Sequence, residues 1–61
     1  MVKIEVHDRT LEVSRREHSV LLEIKDSANR MVEVITLTPT ESEALENALR
    51  IYRREAERRA R

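Results

Sequence analysis

The sequence predicts an α+β protein, in which a four-stranded antiparallel β-meander is followed by one long C-terminal amphipathic helix packed across one sheet face. Two observations carry this prediction. Apolar and polar side chains alternate in four short runs before residue 38, which is the pattern of half-buried strands. From residue 39 onward, apolar residues recur every three or four positions, which is the pattern of an amphipathic helix. We predict a single domain over residues 1–61, with strands at about 2–7, 10–14, 19–25 and 31–37 and a helix at about 39–60.

The first turn is expected near residues 8 and 9. Apolar and charged side chains alternate on both sides of this polar break, so the two flanking segments should pair as antiparallel strands. This register would place Val6 opposite Leu11 and Ile4 opposite Val13. The same reasoning puts the second turn near residues 16 and 17, with Val13 opposite Val20. Neither turn contains the Asn-Gly or Asp-Gly pair that two-residue hairpin loops prefer, so the alternation alone carries the register.

The third turn has better local chemistry. The segment Ser27–Asn29 suits a three-residue hairpin loop, in which Asn29 would adopt the left-handed backbone conformation. The pairs expected from this loop are Ile24 with Val32, Leu22 with Val34 and Leu21 with Ile35. Because side chains alternate between the two faces of a strand, a slip of one residue would move the apolar residues to the other face.

The predicted registers divide the sheet into an apolar face and a charged face. The apolar face would hold Ile4, Val6, Leu11, Val13, Val20, Leu22, Ile24, Val32 and Val34. On the opposite face Glu5 would lie across from Glu12, and Glu23 across from Glu33, where like charges repel. Beside these acids would lie the apolar residues Leu21, Ile35 and Leu37. Apolar side chains rimmed by charge are typical of an interaction site.

The helix has a well-defined start. Thr38 is its expected cap, Pro39 fits the first helical position and Glu41 completes a T-x-x-E capping box. The apolar stripe expected to cover the sheet consists of Leu45, Ala48, Leu49, Tyr52 and Ala56, widened by Ala44 and Ile51. A helix over residues 39–60 is about 33 Å long, whereas four strands span about 15–20 Å. Residues 53–61 are therefore expected to overhang the sheet.

Charge is balanced overall but unevenly distributed. The chain has 12 Lys+Arg and 12 Asp+Glu, and six of the arginines lie in residues 50–61. A dedicated nucleic-acid-binding protein is normally basic, so the neutral total counts against that class. A chain of 61 residues without cysteine has neither a large core nor disulfides. Self-association is therefore the expected source of further stability.

We predict a small non-enzymatic interaction or structural module that acts as a homodimer through its outer sheet face and its arginine-rich helix end. The predicted interface residues are Leu21, Ile35, Leu37 and Ile51, the acids Glu12, Glu23 and Glu33, and the arginines Arg53 and Arg54. Two alternatives stay open. The helix end could contact nucleic acid through Arg50, Arg53, Arg54, Arg58 and Arg59. It could also be a solvated helix end whose arginines only complement the helix dipole.

The sequence suggests no catalytic, cofactor-binding or metal-binding residues, and we expect no small-molecule substrate. The chain has no glycine, which excludes glycine-rich phosphate-binding loops. Its two histidines are too few to hold a metal ion without carboxylates. No apolar run approaches the roughly 20 residues that span a bilayer, so no membrane partner is expected. The first residues lack the pattern of a secretory signal, which favours a cytoplasmic location.

Overall fold

A computed structural model of the protein describes residues 1–59, which form four strands and one helix. The elements are β1 (Val2–Val6), β2 (Arg9–Arg16), β3 (Ser19–Lys25), β4 (Met31–Leu37) and α1 (Pro39–Arg59). The sheet is antiparallel throughout, with the strand order β1-β2-β3-β4. The predicted α+β class, with a β-meander followed by a C-terminal helix, is confirmed. Residue 60 of the predicted helix and residue 61 of the predicted overhang lie outside the described residues.

The first turn lies one residue earlier than predicted, and the second turn lies one residue later. Two residues, 7 and 8, connect β1 to β2, and residues 17 and 18 connect β2 to β3. Val13 therefore pairs with Val2 and Leu22, whereas the predicted partners were Ile4 and Val20. Each register differs from the predicted one by two residues. Because this is an even number, the side chains of β1, β2 and β3 keep their predicted faces.

The tight turns depend on an unusual backbone conformation. His7 has a φ of 56° and Glu17 a φ of 57°, so the first residue of each two-residue turn is left-handed. Glycine usually fills such positions, because a side chain there costs about 1–2 kcal/mol. The chain has no glycine, and both turns nevertheless have two residues.

The β3–β4 loop has the predicted conformation. Asp26 N donates to Arg30 O over 3.0 Å and closes a three-residue loop, in which Asn29 is left-handed with a φ of 63°. Asp26 Oδ1 accepts hydrogen bonds from the backbone N of Ala28 and of Arg30, each 2.9 Å long. The bonds from Arg30 and Ala28 hold the pKa of Asp26 below its ordinary value.

A β-bulge next to this loop overturns the predicted register of β4. Lys25 pairs with Met31 as the loop requires, but Ile24 pairs with Glu33, so Val32 is an extra residue. Beyond the bulge, β4 is shifted by one residue and its side chains change face. The predicted pairs Ile24–Val32, Leu22–Val34, Leu21–Ile35 and Glu23–Glu33 are wrong, and the observed pairs are Ile24–Glu33, Leu22–Ile35, Leu21–Thr36 and Glu23–Val34.

The sheet has two chemically different faces. The face toward α1, here called the helix side, holds Val2, Ile4, Val6, Arg9, Leu11, Val13, Arg15, Val20, Leu22, Ile24, Glu33, Ile35 and Leu37. The other face, here called the outer face, holds Lys3, Glu5, Thr10, Glu12, Ser14, Leu21, Glu23, Lys25, Val34 and Thr36. Ile35, Leu37 and Glu33 were predicted on the outer face. The bulge places all three on the helix side instead.

The helix begins with the predicted capping box. Glu41 N donates to Thr38 Oγ1 over 3.1 Å, and Thr38 N donates to Glu41 Oε1 over 2.9 Å. The 21 residues of α1 make a rod about 31 Å long. Its contacts with the sheet are made to β3 and β4. No helix within residues 1–59 is long and apolar enough to cross a membrane.

Candidate interaction surface

A groove of about 500 Å³ runs between α1 and the helix side of the sheet. Its floor is apolar and consists of Val13, Val20, Leu22 and Leu37. One face of the helix forms its wall, through Ser42, Leu45, Glu46, Leu49, Arg50 and Arg53. The periodicity of the sequence assigned Leu45 and Leu49 to a closed layer between helix and sheet. The structure leaves that layer open to solvent.

The apolar stripe of α1 is largely uncovered. Leu45 is 42% exposed, Leu49 63% and Tyr52 69%. These residues follow the spacing of the buried side of an amphipathic helix, so exposure of all three is unusual. β1 adds a further exposed apolar row on the helix side, formed by Val2, Ile4 and Val6. Both rows therefore leave apolar side chains exposed to solvent.

The described chain has no conventional hydrophobic core. Among residues 1–59, no apolar side chain is buried. The chain exposes 5523 Å², whereas a compact monomer of 7.2 kDa exposes about 4,100 Å². Its radius of gyration is 13.4 Å, against about 10.5 Å for a compact chain of 61 residues. The fold is therefore flat and open, with about 1,400 Å² of surface more than its mass requires.

Charged side chains border the groove on its helix wall. Glu46 lies toward the N-terminal end of α1, and Arg50 and Arg53 lie one and two turns further on. Arg50 donates to Asn47 Oδ1, and Arg53 Nε lies 3.9 Å from Glu57 Oε1 with both side chains exposed. Exposed pairs of this kind contribute little to stability, so both arginines remain available to a partner.

The other predicted arginines lie away from the groove. Arg54 and Arg58 border a shallow hollow on a different flank of α1, together with Ile51, Glu55 and Glu57. Arg58 and Arg59 occupy the last described turn of the helix, where they complement its dipole. The structure thus separates Arg53, which lines the groove, from Arg54 and Ile51, which the sequence placed at the same interface.

The outer face is organised around one ion pair. Glu12 is 6% exposed, and its Oε2 lies 2.8 Å from Lys25 Nζ. The hydrogen bond from Lys25 lowers the pKa of Glu12 below its ordinary value, and the same bond raises the pKa of Lys25. Glu12 was predicted as an ionic partner for a second subunit. Its carboxylate is instead already paired within the chain.

The like-charged pairs predicted on the outer face are rearranged. Glu5 pairs with Thr10 and not with Glu12, because the first turn lies one residue earlier than predicted. Glu12 lies directly opposite Glu23, with Lys25 neutralising the pair from the neighbouring position on β3. Leu21 and Glu23 are the two predicted interface residues other than Glu12 that the outer face retains. Both are only half-exposed, whereas Val34 on the same face is 47% exposed.

Sequence reasoning missed the residues that make the groove. Val13, Leu22, Leu45 and Leu49 were assigned to intramolecular packing, and Glu46 was given no role at the interface. The spacing of apolar residues shows which side of an element avoids water, but not which molecule covers it. The available signal was the short chain length. A chain of about 60 residues buries only about 60% of the surface that its unfolded form exposes, so part of its apolar surface stays uncovered.

The described residues also contain no group of three His, Cys, Asp or Glu side chains that could hold a metal ion. No protein-family model, curated protein or solved structure matches this chain. The groove, the exposed stripe and their charges are therefore the basis on which a function is assigned.

Proposed function

We propose that this protein is a non-enzymatic interaction module that acts as a homodimer through its helix side. The observation that carries the proposal is the lack of any buried apolar side chain within residues 1–59. Folding a chain of this size costs roughly 1–2 kcal/mol of backbone entropy per residue, and burial of apolar surface is the main term that offsets it. A second copy would bury the surface that one copy leaves open.

The amount of uncovered surface fits this proposal. A stable interface buries about 800 Å² on each partner. The excess of about 1,400 Å² over a compact monomer is larger than that and falls within the range of obligate dimers. Obligate interfaces are also more apolar than transient ones, in agreement with the apolar floor of the groove.

The helix side supports the proposal better than the outer face does. The sequence-based hypothesis used the outer face, where Ile35 and Leu37 were expected next to unpaired acids. The bulge in β4 moves both residues to the helix side, and Lys25 neutralises Glu12 on the outer face. The homodimer is thus retained as the proposed state, while its interface changes sides.

Nucleic-acid binding by the arginines has less support. Arg53 lies next to Glu57, and Arg54 and Arg58 share their hollow with Glu55 and Glu57. These acids reduce the positive potential that a phosphate backbone would meet. The flank of α1 is therefore mixed in charge, which is the usual character of a solvent-exposed helix face.

The test compares matched substitutions on the two faces. Sedimentation velocity of the wild-type chain should show a dimer at micromolar concentration. Leu49→Lys places a charge in the groove of both copies and should weaken dimerisation by at least about 100-fold. Val34→Lys introduces the same charge at a similarly exposed apolar position on the outer face. We expect it to change the dimer dissociation constant by less than about threefold.

Three results would overturn the proposal in different ways. A folded wild-type monomer at high micromolar concentration would remove the homodimer altogether. Loss of the dimer in Val34→Lys with no effect of Leu49→Lys would return the interface to the outer face. A tetramer or larger assembly that dissociates directly to monomers would replace the two-fold interface with another symmetry.

A further inference from the structure

β1 is an edge strand that no other part of the described chain covers. The strand order β1-β2-β3-β4 places it at one end of the sheet, and the contacts of α1 within residues 1–59 are made to β3 and β4. Every residue of β1 is exposed. β1 pairs with its neighbour without a bulge, whereas β4 at the other end has one. A regular edge strand of this kind presents unpaired backbone groups to which another strand can bind.

Within β1, the backbone groups on the free edge belong to Lys3 and Glu5. Val6 and Arg9 flank the first two-residue turn, and the residues that flank such a turn exchange both backbone hydrogen bonds. Hydrogen-bonded and non-hydrogen-bonded pairs alternate along an antiparallel ladder, so the N–H and C=O of Ile4 also point toward β2. Those of Lys3 and Glu5 therefore point away from β2, toward the free edge.

The sequence of β1, Val-Lys-Ile-Glu-Val, is complementary in charge to its own reverse. An antiparallel pair of two copies centred on Ile4 sets Lys3 opposite the partner's Glu5, and Glu5 opposite the partner's Lys3. A pair centred on Lys3 or on Glu5 would set two like charges against each other, which is destabilising. A lysine on an edge strand usually prevents pairing, but in the register centred on Ile4 it meets an acid. Neither Lys3 nor Glu5 forms a salt bridge within residues 1–59.

The apolar side chains of β1 agree with the same register. Ile4 would lie opposite the partner's Ile4 in a non-hydrogen-bonded pair, in which side chains approach most closely. Val2 would lie opposite the partner's Val6, so the exposed rows of the two copies meet on the helix side. Lys3 and the partner's Glu5 would exchange two backbone hydrogen bonds, and the two-fold axis repeats them. Backbone pattern, charge and apolar contact thus select one register.

We infer that the free edge of β1 is a pairing site for β1 of another copy, antiparallel about a two-fold axis through Ile4. The axis is perpendicular to the sheet, so two four-stranded sheets become one of eight strands with both helix sides facing the same way. The helix-side contact proposed above stays accessible, and the edge contact joins one homodimer to the next. Five residues on each strand bury less than the roughly 800 Å² per partner of a stable interface, so this contact forms at high protein concentration.

Cysteine cross-linking tests the register, because the chain has no cysteine of its own. The Cα atoms of a non-hydrogen-bonded pair lie about 4.5 Å apart, within the range of a disulfide. Ile4→Cys should therefore give a covalent dimer on mild oxidation at high protein concentration. The two copies of residue 6 would be about 14 Å apart, since four residues of strand separate them. Val6→Cys alone should not cross-link, whereas an equimolar mixture of Val2→Cys and Val6→Cys should.

A mixture of two charge variants tests the same register. Lys3→Glu makes both charged residues of β1 acidic and Glu5→Lys makes both basic, so two copies of either variant repel each other. In a mixed pair every acid lies opposite a lysine. With Ile4→Cys added to both variants as the reporter, the mixture should cross-link at least about tenfold more than either variant alone. The excess should shrink at high salt, because exposed charges are screened.

The results separate the edge contact from the helix-side homodimer. Absence of a cross-link in Ile4→Cys, or an equal one in Val6→Cys, would overturn the edge contact alone, as would a charge mixture without an excess. Lys3→Glu also faces Glu12 of its own chain, so if this variant does not fold, the mixture of Val2→Cys and Val6→Cys decides. A wild-type dimer that shows the Ile4→Cys cross-link and that Leu49→Lys does not weaken would keep the edge contact and overturn the helix-side interface.

Discussion

Glu12 Oε2 lies 2.8 Å from Lys25 Nζ on the outer face, and Glu12 is the one buried residue of the described chain. The two residues lie diagonally across β2 and β3, and Glu12 also lies directly opposite Glu23. Two carboxylates at this position would repel each other. The lysine thus makes the centre of the outer face electrostatically stable without any contribution from a partner.

This ion pair predicts how stability depends on pH. The hydrogen bond from Lys25 lowers the pKa of Glu12 below 4.5 in the folded chain, so its stabilisation is present above pH 4.5 and is lost as pH falls through the lowered value. The pKa of Lys25 is raised above 10.5, so its share is present below pH 10.5 and is lost as pH rises through the raised value. Thermal melts of wild type and Glu12→Gln at pH 7 and pH 3.5 measure the acid limb. We expect the substitution to lower the Tm at pH 7 and to reduce the difference between the two pH values.

Glu23→Gln is the matched control for this prediction. It removes the carboxylate opposite Glu12 and leaves the bond to Lys25 intact. We expect no loss of Tm at pH 7, because a like charge is removed. A loss as large as that of Glu12→Gln would mean that the Glu12–Lys25 pair is not the stabilising contact. All melts require one fixed protein concentration, since a dimer's Tm depends on it.

Strain in the second turn predicts a stabilising substitution. Glu17 has a φ of 57°, a conformation that glycine adopts without steric cost. Glu17→Gly should raise the free energy of unfolding by about 0.5–1 kcal/mol. Relief of the strain stabilises the folded chain, and the greater freedom of glycine in the unfolded chain cancels part of that gain. His18→Gly in the same turn should destabilise, because residue 18 does not have a positive φ. Urea denaturation of both variants measures the difference, and equal effects would contradict the strained turn.

The capping box predicts a loss of helix stability. Thr38 Oγ1 accepts the hydrogen bond of Glu41 N, and Thr38→Ala leaves that N–H without this acceptor. The cost should be about 1 kcal/mol in urea denaturation. Thr40→Ala, two positions further along, removes a hydroxyl without removing the cap and should cost only a few tenths of a kcal/mol. Similar costs for the two variants would show that the capping bond contributes nothing.

The mixed charges of the helix flank predict a negative result with nucleic acid. Oligonucleotides, single-stranded or duplex, should show no retention at low salt, where phosphate contacts are strongest. The double variant R54E/R58E should leave the dimer dissociation constant within about threefold, because both arginines lie outside the groove. A complex that weakens steeply as salt rises, and that this variant abolishes, would establish nucleic-acid binding in its place.

Local features of this fold could be predicted from the sequence, and features set by more distant parts could not. The cap at Thr38 and the left-handed Asn29 each depend on a few neighbouring residues, and both were predicted. The bulge at Val32 depends on how β4 pairs with β3, and no residue type in this segment indicates a bulge. It changed the face of Ile35 and Leu37, and with it the predicted side of the interface.

The exposed stripe of α1 illustrates a second limit. The spacing of Leu45, Leu49 and Tyr52 correctly identifies the side of the helix that avoids water. It does not show how much of this side the sheet of the same chain covers, because that depends on the position of the helix over β3 and β4.

The bulge also has a consequence for colloidal behaviour. β4 is an edge strand with a single charged residue, Glu33, and a flat, apolar edge of that kind is a template for fibril growth. The extra residue at Val32 interrupts the regular row of backbone donors and acceptors. A strand added at this edge could therefore form regular hydrogen bonds only with the part of β4 on one side of the bulge. Deletion of Val32 should remove the bulge from the β4 edge. We expect the turbidity of the deletion variant on prolonged incubation to rise above that of the wild-type chain.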